Sequence, residues 1–189
     1  MKLFRIVTGY LIGFSLFGLL MPLFLVFLSR RVDPLLPFSL LPWLSVRLFI
    51  SIPVFTIGLV FAIWSNVSLS LTGKGGPTDV FNYAICPRST NLVVTGPYRY
   101  TRNPMVFGAL CIYLSLSVFL NSLTGSLFCL LFIPLAILYL KKTEEKRLEK
   151  DFGEEFQKYK SSVPMLIPFP GKRKKRHNTP HKPSGKEAT

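Results

Sequence analysis

Residues 103–140 form a run of 38 without a single charged side chain. As one straight helix this run would be about 57 Å long, close to twice the thickness of a bilayer core of about 30 Å. The run therefore has to turn back on itself. Asn121-Ser122, with Gly125 close behind, are the residues that interrupt a helix, so a hairpin of two short helices is expected, roughly 105–120 and 123–140. Pro134 is placed to kink the second of them.

Two further runs have the same character. Residues 6–29 carry no charge, and their 24 residues span about 36 Å as a helix. Lys2 and Arg5 precede them, as in a signal peptide, but the run is too long for an h-region and no A-x-A cleavage site follows. It reads as a first transmembrane helix, ended by Arg30-Arg31. Pro34, Pro37 and Pro42 then prevent a long helix over 32–46, and Trp43 suits a membrane interface. A second apolar helix begins at Leu48 and is most apolar up to Trp64, with 65–71 more polar but able to continue it.

Composition agrees. Hydrophobic residues make up 49% and charged residues 17%, with a mean hydropathy of +0.40, too little charge to cover a soluble surface. This excludes a disordered chain, a secreted disulfide scaffold and an ordinary cytosolic globule. The net charge of +14 would suit a nucleic-acid partner, but its distribution does not. Residues 171–189 hold seven Lys/Arg against one Glu, and six of the nine acids fall within 144–155. The fold class is all-α: a polytopic membrane protein of about four transmembrane helices, a C-terminal amphipathic helix and a disordered basic tail.

Residues 141–160 are charged but keep a helical period. Leu148, Phe152, Phe156 and Tyr159 share one face, opposite Lys, Glu and Asp, and Val163-Pro164 ends the helix. The positive tail puts the C-terminus in the cytoplasm, and four crossings bring the N-terminus and the polar 72–104 loop to the same side. Arg30, Arg31 and Arg47 then lie on the outer side. The chain divides into N-terminal membrane helices (1–71), a loop, hairpin and amphipathic helix (72–170) and the basic tail (171–189).

Metal chemistry is not expected. Cys86, Cys111 and Cys129 form no C-x-x-C, and the only histidines, His177 and His181, lie in the tail. Gly73-Lys74-Gly75-Gly76-Pro77 lacks the Ser/Thr and the preceding glycine frame of a phosphate loop, and reads as a loop at a membrane exit. The stretch 92–105 is different. It sets Tyr98, Arg99, Tyr100 and Arg102 between Pro97 and Pro104, immediately before a membrane helix. Two prolines restrict the backbone, and arginine offers a bidentate fork to carboxylate or phosphate. An interfacial anchor is the alternative for these residues. Glu144-Glu145, at the exit of the last membrane helix, are carboxylates at a membrane boundary beside a polar loop. A solvated helix face is their alternative.

Three motifs now stand in order: Thr95-Gly96-Pro97-Tyr98-Arg99-Tyr100 with Arg102-Asn103-Pro104; Glu144-Glu145; and Phe152-Gly153-Glu154-Glu155-Phe156 with Tyr159 and Val163-Pro164. Together they resemble the isoprenylcysteine carboxyl methyltransferase family and, more widely, the integral-membrane phospholipid methyltransferases. The resemblance covers roughly residues 72–170. It implies membrane helices around a cytosol-facing pocket for S-adenosyl-L-methionine. Carried over residue by residue, it implies that Leu92, Val93, Gly96, Pro97, Tyr98, Arg102, Asn103, Pro104, Glu144 and Glu145 enclose the cofactor, with Glu144 on one of its polar ends. Asn103 stands where many members have His, Val106 where Tyr is common, and Leu140 where members acting on a prenylcysteine carboxylate have Arg.

The expected activity is methyl transfer at the membrane to a lipophilic acceptor, either an isoprenylcysteine-like carboxylate or a lipid. Glu145 is the candidate proton acceptor if the acceptor is an amine. An NADPH-dependent sterol-type reductase, which shares a similar Gly-Pro-Tyr-Arg-Tyr region, is one rival. A non-catalytic membrane anchor is the other. The expected partners are the bilayer, a lipophilic or lipidated substrate and, at the tail, anionic lipid, with no nucleic acid.

Overall fold

The computed structural model describes residues 2–36, 39–73, 79–80, 83–84 and 91–168. Cys86, residues 74–78 of the glycine-rich loop and the basic tail lie outside the described residues. The chain is all-α apart from a minimal antiparallel hairpin, β1 (Asp79–Val80) with β2 (Tyr83–Ala84).

The first apolar run is one continuous rod. Helix α1 (Lys2–Gly13) passes through a π segment (Phe14–Leu20) into α2 (Met21–Arg31). After a short 3-10 turn (Asp33–Leu35), α3 (Leu44–Ser68) starts directly behind Trp43 and ends in a second π segment (Leu69–Gly73). The more polar 65–71 stretch therefore does continue the helix. The long uncharged run folds as the expected hairpin, α4 (Pro104–Phe119) and α5 (Leu123–Leu140). A third π segment (Lys141–Glu145) joins α5 to α6 (Lys146–Ser162).

Three of these rods are long and apolar enough to cross a membrane: Val7–Leu35, Leu44–Gly73 and Leu123–Ser162. The apolar part of the third ends at Leu140, where the charged residues begin. Helix α4 is apolar but shorter, about 24 Å. Phe49, Leu131 and many other large apolar side chains point outward. Such a surface is stable in lipid and not in water, and the protein is an integral membrane protein.

The hairpin turns where the local residues allow it. Asn121 takes a left-handed φ of 57°, a conformation that Asn tolerates better than most residues. Ser122 then caps α5, its Oγ accepting the Gly125 N–H at 2.9 Å. Three distant residues hold the turn: Asp33 Oδ1 accepts from Thr124 N at 2.9 Å, Asn121 Oδ1 accepts from Leu41 N at 2.7 Å, and Arg47 donates to Phe119 O at 3.2 Å.

Inside, Leu25, Tyr113 and Cys129 form the apolar centre between α2, α4 and α5. A π segment leaves carbonyls poorly paired, and in lipid an unpaired carbonyl is costly. The Tyr113 hydroxyl meets this need by donating to Phe17 O at 2.6 Å.

Helices α3 and α4 make the most extensive pairing, and glycine permits it. A Cβ on Gly58 would stand 2.7 Å from Gly108 O, and one on Gly108 would stand 2.7 Å from Gly58 O and 2.8 Å from Ala62 N. Packing between membrane helices relies on such close backbone approach. Gly108→Val is expected to force the pair apart and cost about 1–3 kcal/mol. Unfolding titration of the purified variant in mixed micelles checks this, and wild-type stability would show that the crossing is loose.

Candidate functional site

The candidate site lies where α3, α4 and the α5–α6 junction meet, past the last apolar turn of α5. Residues 96–104 form its first wall. Gly96 opens a 3-10 turn (Gly96–Arg99) with a left-handed φ of 62°. A Cβ there would meet Ser68 Oγ at 2.7 Å and Trp64 Nε1 at 3.3 Å, so glycine is required by both conformation and space. Pro97 is buried beneath the turn, and Tyr100 packs near Trp64 with 6.4 Å between ring centroids. Val93 is buried just upstream, and Leu92 beside it is half-buried. Pro104 begins α4, where its missing N–H has no helical partner to lose.

Residues 163–166 form a strap across this turn. The Arg102 N–H donates to Pro164 O at 2.9 Å and its Nε to Val163 O at 3.0 Å. The fully buried Thr101 hydroxyl and the Asn103 amide both donate to Met165 O, each at 3.0 Å. Asn103 therefore spends its amide on the strap and makes no side-chain cap on α4. The Tyr159 hydroxyl donates to Tyr98 O at 2.6 Å.

The second wall is the π segment Lys141–Glu145, and here the two adjacent carboxylates part company. Glu145 is buried at 6% exposure. Its Oε1 pairs with Arg102 Nη1, and its Oε2 accepts from Lys160 Nζ at 2.9 Å. Lys160 also reaches Glu149 Oε1 at 2.8 Å. These four side chains balance two cations against two anions. The hydrogen bonds of Lys160 to Glu149 and Glu145 raise its pKa, and Lys160 in turn holds the Glu149 carboxyl below its ordinary value. Glu144, half-buried, makes no hydrogen bond or ion pair among the described residues. Burial pushes its carboxyl pKa up.

Of the ten positions expected around a cofactor, the structure brings Arg102 and Glu145 into direct contact, ties Asn103 and Arg102 to the strap, and ties the Tyr98 carbonyl to Tyr159 of α6. Gly96, Pro97, Pro104 and Val93 shape the walls. Only Glu144 presents a charged group that the described protein leaves uncompensated.

The reading of residues 141–160 as one regular amphipathic helix needs correction. Phe156 and Tyr159 are buried as expected, but Gly153 takes φ 51° and ψ −123° inside α6 and breaks it there. A Cβ at Gly153 would meet nothing within 4 Å, so the backbone conformation, not crowding, calls for glycine. The bend carries Tyr159, Lys160 and the strap back to the 96–104 turn. Sequence reasoning missed Lys160 and Thr101 as members of the site. The glycine inside a helical pattern was the available signal.

Beside the strap, between α4 and α5, lies a wholly apolar cavity of about 170 Å³. Phe107, Leu110, Cys111 and Ile133 line it, together with Leu166 of the strap and Ile167 next to it.

A family model described as phospholipid methyltransferase matches residues 46–155. No curated protein and no solved structure matches the chain. The matched span contains the 96–104 turn and Glu144-Glu145 but stops before Tyr159, Lys160 and the strap.

Proposed function

The chain belongs to the phospholipid methyltransferase family, within the isoprenylcysteine carboxyl methyltransferase group, and we propose that it transfers a methyl group from S-adenosyl-L-methionine to a lipophilic acceptor at the membrane. One observation carries this reading further than family membership. Glu144 is an uncompensated carboxylate at the membrane boundary, beside a cluster whose own charges cancel. Such a group suits a ligand that carries positive charge, as a sulfonium with an α-ammonium does.

When bound, the cofactor supplies an electrophilic methyl group, and the chain's residues supply its surroundings. Glu144 holds a cationic end. Gly96 lets the turn pack closely on Ser68 and Trp64 of α3, which fixes the wall of the site. The adjoining apolar cavity suits the hydrocarbon of an acceptor. Positioning an acceptor beside a bound methyl donor would be the chief contribution of these residues, since orientation of two reactants can lower a barrier by about 7–11 kcal/mol. Both oxygens of Glu145 are already engaged by Arg102 and Lys160, which argues against Glu145 as proton acceptor. Family membership favours methyl transfer over the reductase and anchor readings. Incubating membranes that contain the protein with methyl-labelled S-adenosyl-L-methionine tests the proposal. Label is expected in a solvent-extractable or lipidated product, and its absence across lipid, prenyl-cysteine and amine acceptors would refute the activity.

The proposal places four crossings in the membrane (α1 with α2, then α3, α4 and α5), with both termini and the 72–104 loop in the cytoplasm. A cysteine placed at Asp79, in a chain lacking Cys86, Cys111 and Cys129, is expected to resist impermeant thiol reagents in intact cells. Ready labelling would reverse the orientation. The basic run 172–176 is proposed to touch anionic headgroups, at up to about 1 kcal/mol per cation. Truncation after Gly171 is expected to leave cofactor affinity unchanged, and a loss would mean that the tail folds over the site.

A further inference from the structure

Glu145 sits at a junction of three chain segments. Arg102 reaches it from the turn before α4, and Lys160 reaches it from α6 beyond the bend at Gly153. Each cation takes a different carboxylate oxygen. Glu145 itself belongs to the π segment that also carries Glu144. A π segment is a rare form that appears mostly as a single turn inside an α-helix, so contacts from outside help to hold it.

We infer that Lys160 is a positioning residue: with Arg102 it clamps Glu145, and the clamp fixes the π segment so that Glu144 faces the cofactor. The inference rests on the proposed cofactor site and adds to it a residue beyond the family-matched span.

Three features support it. Without Lys160, Glu145 keeps Arg102 on one oxygen, while its other oxygen is left without a partner at a side-chain exposure of 7%. A buried carboxylate with a free oxygen reorients toward water or another donor. Lys160 is also the only cation among the described residues beyond Gly153 that pairs with the π segment. The neighbouring Lys158 pairs instead with Glu154 on the surface, at 3.9 Å. Lastly, the Tyr159–Tyr98 hydrogen bond and the strap hold the same half of α6 against the turn, so Lys160 approaches Glu145 from a braced position.

The test is a double-mutant cycle read by S-adenosyl-L-methionine titration of the full chain in nanodiscs. Lys160→Met is expected to weaken binding about tenfold, the lower range for a hydrogen bond to a charged group. Lys160→Arg is expected to restore it, and Lys158→Met to leave it unchanged. In a Glu144→Gln background, Lys160→Met is expected to cost less than about twofold, because the residue through which Lys160 acts has already gone. An equal loss in both backgrounds would overturn the inference, since Lys160 would then act without Glu144. A second readout needs no cofactor. Lys160→Met is expected to speed amide exchange at Arg102, whose N–H is held by Pro164 O, by about tenfold while leaving α3 and α4 protected. If the wild-type protein binds no cofactor, the proposed function fails, and the exchange measurement still decides the clamp. Unchanged exchange at Arg102 would refute it.

Discussion

Arg102→Met is expected to destabilise the protein by about 3–5 kcal/mol, the range for removing one partner of a buried ion pair. Arg102 and Glu145 have side-chain exposures of 12% and 7%, so solvent screens the pair only weakly. The substitution leaves Glu145 Oε1 without its cation and Val163 O without its Nε donor. Lys160 remains on Oε2, which places the loss toward the lower end of the range. The double variant Arg102→Met with Glu145→Met is expected to be less damaged than the sum of its parts, because no charge is then left stranded. Equilibrium unfolding of both variants in mixed micelles checks this. A loss below about 1 kcal/mol would show that the pair behaves as an exposed one.

Glu144→Gln acts on binding rather than on folding. It removes a charge that no described residue balances, so the protein is expected to stay folded while its affinity for S-adenosyl-L-methionine drops about 10–150-fold, the equivalent of about 1.5–3 kcal/mol. Titration calorimetry measures it, and an unchanged affinity removes Glu144 from the site. The pH dependence follows from the direction of the pKa shift. Burial raises the Glu144 pKa above its ordinary value of 4.5. Relative to the unfolded chain, the fold therefore favours the protonated form. That contribution to stability is present at low pH and is lost as pH rises through the raised value. Binding of a cation runs the other way, since it needs the carboxylate. Affinity is expected to fall as pH drops through the raised value, starting above 4.5, and Glu144→Gln is expected to flatten this dependence.

Particular residues show why some of this was legible and some was not. The hairpin could be read because a bilayer limits helix length and because Asn121-Ser122 is a local signal. The end of α6 could be read because Val163-Pro164 stops a helix through its own backbone chemistry. The break at Gly153 was read through. Phe152 and Phe156 keep a helical spacing across it, and periodicity does not report a single residue's φ. The ten candidate residues were placed in one region by motif, and the structure does bring the 96–104 turn and the π segment together. Their individual roles were not legible, since adjacent glutamates look alike in a sequence.

The sequence by itself determined the environment, the helix lengths, the turn at Asn121 and the identity of the chemical groups at the exit of α5. Each depends on local composition or on spacing along the chain. Only the tertiary structure decided which carboxylate is spent on the scaffold and which is left over. Arg102 and Lys160 lie 43 and 15 residues from Glu145 along the chain and meet it through a bend at Gly153 and a strap at 163–166. Pairing of charges is a property of distance in space: Glu145 has two cations within ion-pair distance, and Glu144 has none among the described residues.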